Sequence, residues 1–224
     1  MKHISCIIFD LDGTLTQTNE LIFATFNHVT EKYLGKTYNP DEITKMFGPP
    51  EEIAIERLIG KERIDEAMDD FYLFYEKHHP RMANAYHGIR EMLEYLKSKR
   101  LLLAIFTGKG KRSTLISLDI LGIKKYFDSI ITGSDVENHK PSAEGITRVM
   151  KEFELAPHQV LMVGDAVADV KAAHEAGVKI AAVLWDSYGK EKVMQMEVDY
   201  IFHNVSEFFG WLKTSLNHSE NIDG

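Results

Sequence analysis

Two aspartates stand two residues apart in Asp10-Leu11-Asp12-Gly13-Thr14-Leu15, directly after a short apolar run. On an extended chain, residues two apart face the same way, so Asp10 and Asp12 point together. Two like charges this close are costly unless a cation or a shared proton offsets them. Gly13 lets the backbone turn away sharply. One aspartate would suffice for a plain turn; two carboxylates suit cation binding and proton transfer.

A second segment, Gly164-Asp165-Ala166-Val167-Ala168-Asp169, follows another apolar run and opens a helical pattern. Asp165 and Asp169 are four apart, the spacing of one helical face. Hard oxygen ligands from Asp10 and Asp165 suit Mg²⁺, which takes one or two carboxylates and keeps several waters. Thr107-Gly108 closes a third apolar run. A hydroxyl and free backbone N–H groups there can bind phosphate oxygens. Lys140-Pro141 precedes a helical pattern over residues 142–153, with the proline expected in the first turn. That would aim Lys140 at the same place, where an ammonium offsets both carboxylate and phosphate charge.

Each signal has an ordinary explanation when taken singly. An aspartate can cap a helix, many strands end in Thr-Gly, and a lysine at a helix start is often solvated. Their coincidence makes the case. Carboxylates for a metal, a second carboxylate beside a nucleophile, a hydroxyl and a cation form an inventory for phosphoryl transfer.

The elements that must position these residues alternate. Short apolar runs at 4–9, 101–106, 129–132, 160–163, 179–184 and 200–202 read as strands, buried on both faces as in a parallel sheet. Helical patterns fall at 87–99, 112–121, 142–153 and 166–176, the second and last stopping at Gly122 and Gly177. Strand–helix alternation predicts right-handed crossovers and a doubly wound α/β sheet. Its carboxyl edge is where such sheets place ligands, and the four signals all fall there. Residues 18–82 break the alternation. Thr18 is a plausible N-cap with Glu20 in the first turn, and helical periodicity runs through Leu21, Phe26, Val29 and Tyr33. Asn39-Pro40 and Gly48-Pro49-Pro50 punctuate short helices, and residues 62–79 form another. The chain thus divides into an α/β core of residues 1–17 and 83–224 and a helical insertion at 18–82. The polar tail 214–224 reads as frayed.

Length and composition agree with this division and exclude several classes. The 224 residues allow one large domain, or a large one with a small one. No apolar run reaches the roughly 18 residues of a membrane helix. The N-terminal run is too short, and lacks a cleavage site, for a signal peptide. A lone Cys6 makes no internal disulfide and fits a reducing, cytoplasmic location. A net charge of −8 is a poor match to nucleic acid but does not exclude a small anion.

In their order and spacing these segments resemble the haloacid dehalogenase superfamily, in its phosphoglycolate phosphatase-like group. Asp10-Leu11-Asp12-Gly13-Thr14 matches the family's first motif, Thr107 the second, Lys140 the third, and Gly164-Asp165 with Asp169 the fourth. The resemblance spans roughly residues 4–210. It implies a Rossmann-like core, with residues 18–82 as an all-α cap that closes over the site. Asp10 would be the nucleophile, forming an aspartyl-phosphate, and Asp12 the general acid and then base. Mg²⁺ would be held by Asp10, Asp165 and the backbone carbonyl of Asp12. Thr107, Gly108 and Lys140 would bind the phosphoryl group, and Asp169 would orient Lys140 or a metal-bound water. An acid at position 12 favours a phosphatase or phosphomutase over a dehalogenase or an ion-pumping ATPase.

The chain departs from the family pattern at Gln17-Thr18, where Asp-Ser is common, at Ala143 and at Ala166. None of these removes a catalytic group. Lys109 is a further candidate for touching substrate. The cations Arg57, Lys61, Arg63, Lys77 and Arg81, with His78 and His79, read as a solvated face of the insertion.

The expectation is a Mg²⁺-dependent hydrolase of a small phosphomonoester, of the phosphoglycolate or sugar phosphate type. The alternatives are a phosphomutase of the β-phosphoglucomutase type, a pyrophosphatase, and more remotely a binding protein without catalysis. A receiver domain would lack the insertion. The partner expected is a small phosphorylated metabolite, with neither nucleic acid nor membrane, and the chain is expected as a monomer or weak homodimer.

Overall fold

The computed structural model describes residues 4–220. The chain runs β1 (Cys6–Phe9), β2 (Thr16–Gln17), α1 (Asn19–Leu34), α2 (Pro40–Thr44), α3 (Glu51–Ile59), α4 (Ile64–Met82) and β3 (Asn84–Ala85). It continues α5 (Ile89–Ser98), β4 (Leu102–Phe106), α6 (Lys111–Ile120), β5 (Ser129–Ile131), α7 (Glu144–Glu152), β6 (Val160–Gly164), α8 (Val167–Ala176), β7 (Lys179–Val183), α9 (Lys190–Val193), β8 (Tyr200–Phe202) and α10 (Val205–Glu220).

Six strands form one parallel sheet in the order β5-β4-β1-β6-β7-β8. This is the expected α/β architecture. From β1 the chain winds out through β4 and β5, then returns to the other side of β1 for β6, β7 and β8. β1 therefore lies at the point where the winding reverses, and a crevice opens at the carboxyl ends there. Successive β1 side chains alternate between two cores. Ile7 and Phe9 pack with Leu93, Leu96 and Phe208 on one face. Cys6 and Ile8 pack with Ile146, Val149 and Val170 on the other. All four are fully buried, which explains the unbroken apolar run.

A third core belongs to the helices at 19–82, where Leu21, Phe26, Val29, Phe71 and Tyr75 meet. α1 and α4 carry apolar residues at helical spacing and pack on each other. The antiparallel pair β2–β3 joins the two ends of this helical segment. Two-residue strands are too short to leave a periodic pattern in the sequence.

Four local expectations are corrected. Thr18 is the N-cap residue of α1 but makes no side-chain cap bond; its hydroxyl is spent on Asp12 instead. α4 does not stop before Pro80 but carries it in its last turn, ending at Met82. The Lys140-Pro141 peptide is cis and α7 begins only at Glu144, so Pro141 is not in the first turn. The tail is not frayed from residue 214: α10 continues to Glu220 with Leu216 buried. Residues 221–224 lie outside the described residues. No helix among the described residues is long and apolar enough to cross a membrane.

Candidate active site

The register of the sheet brings the motif residues together. Phe9 pairs with Ile105 of β4 on one side and Val163 of β6 on the other. One step further on lie Asp10 and, beyond the neighbouring strand ends, Thr107 and Asp165. The Asp10 N–H donates to Val163 O at 2.8 Å, which keeps Asp10 in line with β1 as the strand ends.

Asp10, Asp165 and Asp169 converge, with one carboxylate oxygen of each within 4.8 Å of the others. Lys140 reaches into this cluster from the loop after β5. Its Nζ donates to Asp10 Oδ1 at 2.7 Å and to Asp169 Oδ1 at 2.6 Å. Asp165 and Asp169 do not share a helical face, because α8 starts only at Val167. Asp169 is the third residue of that helix, and its Oδ2 accepts the Ala166 N–H at 3.0 Å. Asp165 is held by Thr14, whose hydroxyl donates to its Oδ1 at 3.3 Å, and by Ser187, whose hydroxyl donates to its carbonyl at 2.6 Å.

Three carboxylates face one ammonium, and the electrostatics show the imbalance. Burial pushes Asp10 up to about 7 against the pull of Lys140, and Asp169 adds to the rise. Burial, then Asp10 and Asp169, raise Asp165 well above the ordinary carboxylate range. Burial opposes the charge on Lys140, but Asp10 and Asp169 outweigh it and hold the ammonium up at about 12. A hard divalent cation fits this donor set. Both Asp169 oxygens already accept hydrogen bonds, so Asp10 and Asp165 are the oxygens better placed to receive one.

Asp12 belongs to a different environment. Thr18 donates to its Oδ1 at 2.5 Å and Lys109 Nζ donates to its Oδ2 at 3.0 Å. Asp10 and Asp12 leave the strand together but take separate partners. Two carboxylates in two surroundings are suited to two roles.

Thr107 is 2% exposed, its N–H bonded to Ile131 O and its Oγ1 accepting from the Lys109 N–H. Gly108 lies under the helical segment, where a β-carbon would stand 2.8 Å from Gly48 O. Lys109 is buried, its ammonium against Asp12 and 4.8 Å from the Tyr75 ring centroid. Arg57, Lys61, Arg63, Lys77 and Arg81 are exposed. His79 is fully buried, with Nε2 3.0 Å from Ser117 Oγ.

Sequence reasoning missed Glu51. It is the first residue of α3, yet it is buried against the core. It accepts the Gly110 N–H at 2.7 Å and the Ser113 hydroxyl. An acid in the first turn of a helix has an ordinary dipole explanation, which hid this contact.

The chain matches the family model for haloacid dehalogenase-like hydrolases over residues 7–183. A protein named pyrophosphatase PpaX from Anoxybacillus flavithermus is 32% identical over 94% of this chain and 97% of its own. A haloacid dehalogenase-like hydrolase from Streptococcus pneumoniae is 28% identical, with a TM-score of 0.77 over 95% of this chain and all of its own. A predicted phosphoglycolate phosphatase from Haemophilus somnus shares the fold, with a TM-score of 0.85 at 23% identity over 96% of this chain and 99% of its own. The parallel sheet, the acidic cluster at its switch point and these likenesses lead to one assignment: the chain belongs to the haloacid dehalogenase-like hydrolases.

Proposed function

We propose that the protein is a Mg²⁺-dependent phosphatase that hydrolyses a small phosphomonoester through an aspartyl-phosphate on Asp10. The observation that carries this reading is the division of labour at the end of β1. Asp10 is held by Lys140 in the acidic cluster, and Asp12 by Thr18 and Lys109 beside it.

Asp10 attacks phosphorus through a carboxylate oxygen, forming the O–P bond as the bond to the leaving oxygen breaks. Asp12 gives its proton to that leaving oxygen. Asp12 then takes a proton from water, whose oxygen attacks phosphorus and displaces Asp10, releasing phosphate. Lys140 and the Thr107-Gly108 loop bind the phosphoryl oxygens, and Asp169 keeps Lys140 in place. The Thr107 hydroxyl accepts from Lys109 N–H, which leaves its O–H to donate to a phosphoryl oxygen. The metal would be held by Asp10, Asp165 and the Asp12 carbonyl, and would supply neutralisation of the phosphoryl charge. The helices at 19–82 serve as the cap that keeps bulk water from the intermediate.

A second reading is inorganic pyrophosphate as the substrate. The name of the relative at 32% identity favours it. Both readings use the same groups and differ in the leaving group, an alcohol or a phosphate.

The test is phosphate release from small phosphomonoesters and from pyrophosphate, with Mg²⁺, with EDTA and with Asp10→Asn. The expected result is metal-dependent release that Asp10→Asn abolishes, the highest kcat/KM naming the substrate class. Isomerisation of a sugar phosphate with no free phosphate would point to a phosphomutase instead. Neither release nor phosphorylation of Asp10 would leave a binding protein.

A further inference from the structure

Lys109 stands between Asp12 and the helical segment. Its Nζ donates to Asp12 Oδ2 at 3.0 Å, while Thr18 holds Oδ1. One donor on one oxygen leaves a carboxylate free to swing. A donor on each oxygen fixes its plane.

Three groups of the helical segment grip Lys109 in turn. Before it, Gly108 lies so near Gly48 that a β-carbon would meet the Gly48 carbonyl at 2.8 Å. After it, the Gly110 N–H is bound by Glu51 at 2.7 Å, and the Glu51 and Glu52 carboxylates leave no room there for a β-carbon. Beside it, the Tyr75 ring of α4 faces the ammonium at 4.8 Å. Tyr75 is itself fixed, because its hydroxyl lies 2.8 Å from Ser117 Oγ in α6. Burial works against the Lys109 charge, but Asp12, Tyr75 and Glu51 outweigh it and keep the side chain protonated.

We propose that Lys109 is a positioning residue for proton transfer: it fixes the Asp12 carboxylate, and the docked helical segment fixes Lys109. Asp12 is then set for its task only while that segment sits on the core. The inference rests on the proposed role of Asp12 as acid and base.

The test compares kcat/KM in Mg²⁺ for ethyl phosphate, p-nitrophenyl phosphate and pyrophosphate. Ethanol is a poor leaving group and needs the acid; p-nitrophenol leaves without one. Lys109→Met is expected to lose about 100-fold on ethyl phosphate and less than about 5-fold on p-nitrophenyl phosphate. Lys109→Arg is expected to recover most of the ethyl phosphate activity. Tyr75→Leu, which leaves the Thr18 and Lys109 donors to Asp12 in place, is expected to show the same selective pattern at smaller size. Lys109→Leu, which likewise has no donor, carries the same test if Lys109→Met does not fold. Equal losses on both esters would overturn the proposal and leave Lys109 a packing role. A loss confined to pyrophosphate would overturn it differently, making Lys109 a contact to a charged leaving group. If the unmodified chain turns over none of the three, the proposed function fails and this inference with it.

Discussion

Gly13 and Asp165 are packed so closely that a β-carbon on Gly13 would lie 2.7 Å from Asp165 Oδ2. Gly13 also has φ +81, in the left-handed region. The turn after β1 thus needs glycine twice, once for its backbone and once for the space the Asp165 carboxylate fills. Gly13→Ala is expected to cost about 1–3 kcal/mol of stability and to displace Asp165. Urea unfolding reads the first effect. Mg²⁺ titration of activity reads the second, as a rise in the Mg²⁺ concentration for half-maximal rate.

Lys140 is the cation that Asp10 and Asp169 share. Lys140→Met leaves buried Asp10 and Asp169 without their shared cation, and breaking such a pair costs about 3–5 kcal/mol. The expected outcome is a large loss of stability without metal, partly restored by Mg²⁺, together with loss of phosphatase activity. Calorimetry of both proteins, with EDTA and with Mg²⁺, checks it. A melting temperature unchanged in EDTA would contradict the ion-pair account.

The acidic cluster also predicts how pH and metal act on stability. Asp10 titrates at about 7 in the folded chain against 3.8 for an unperturbed aspartate, and Asp165 is raised too. A folded state that binds protons more tightly gains most at low pH. This contribution is therefore full below about pH 4 and lost as pH rises through about 7. Mg²⁺ binds the ionised carboxylates, so its stabilising effect should be large at pH 8 and small at pH 5. Melting curves at the two pH values, with and without Mg²⁺, measure this difference.

His79 gives the opposite sign. Burial, and after it the Lys109 charge, lower its pKa from 6.5 to about 4. A depressed base contributes stability above pH 6.5 and loses it as pH falls through 4. The contribution amounts to roughly 3 kcal/mol. His79→Gln is expected to flatten the fall in stability between pH 6.5 and 4 relative to the unmodified chain. Urea unfolding at pH 4.5 and 7.5 provides the comparison.

The sheet was legible because its strands are buried on both faces and keep unbroken apolar runs, as in Ile7-Ile8-Phe9. The convergence of Asp10, Asp165 and Asp169 was legible because each follows a strand end or opens the helix after one. Contacts distant in sequence were not. Glu51 and Ser113 are 62 residues apart, and nothing in the local pattern of either shows the other. Thr18 stands where a threonine usually caps a helix; its bond to Asp12 depends on how the chain returns past β1. Nothing local to Lys109 shows what surrounds its ammonium; only the packed helices bring Tyr75 and Asp12 there.

In the proposed mechanism Asp10 carries the phosphoryl group. The most direct measurement is to quench the Mg²⁺-loaded protein during turnover of its best substrate and reduce it with borohydride. Peptide mass spectrometry then reads the product, since borohydride converts an aspartyl-phosphate to homoserine. The expected product is homoserine at position 10, with no modification in Asp10→Asn. Turnover without modification at Asp10, or with Asp10→Asn as active as the unmodified chain, would contradict it.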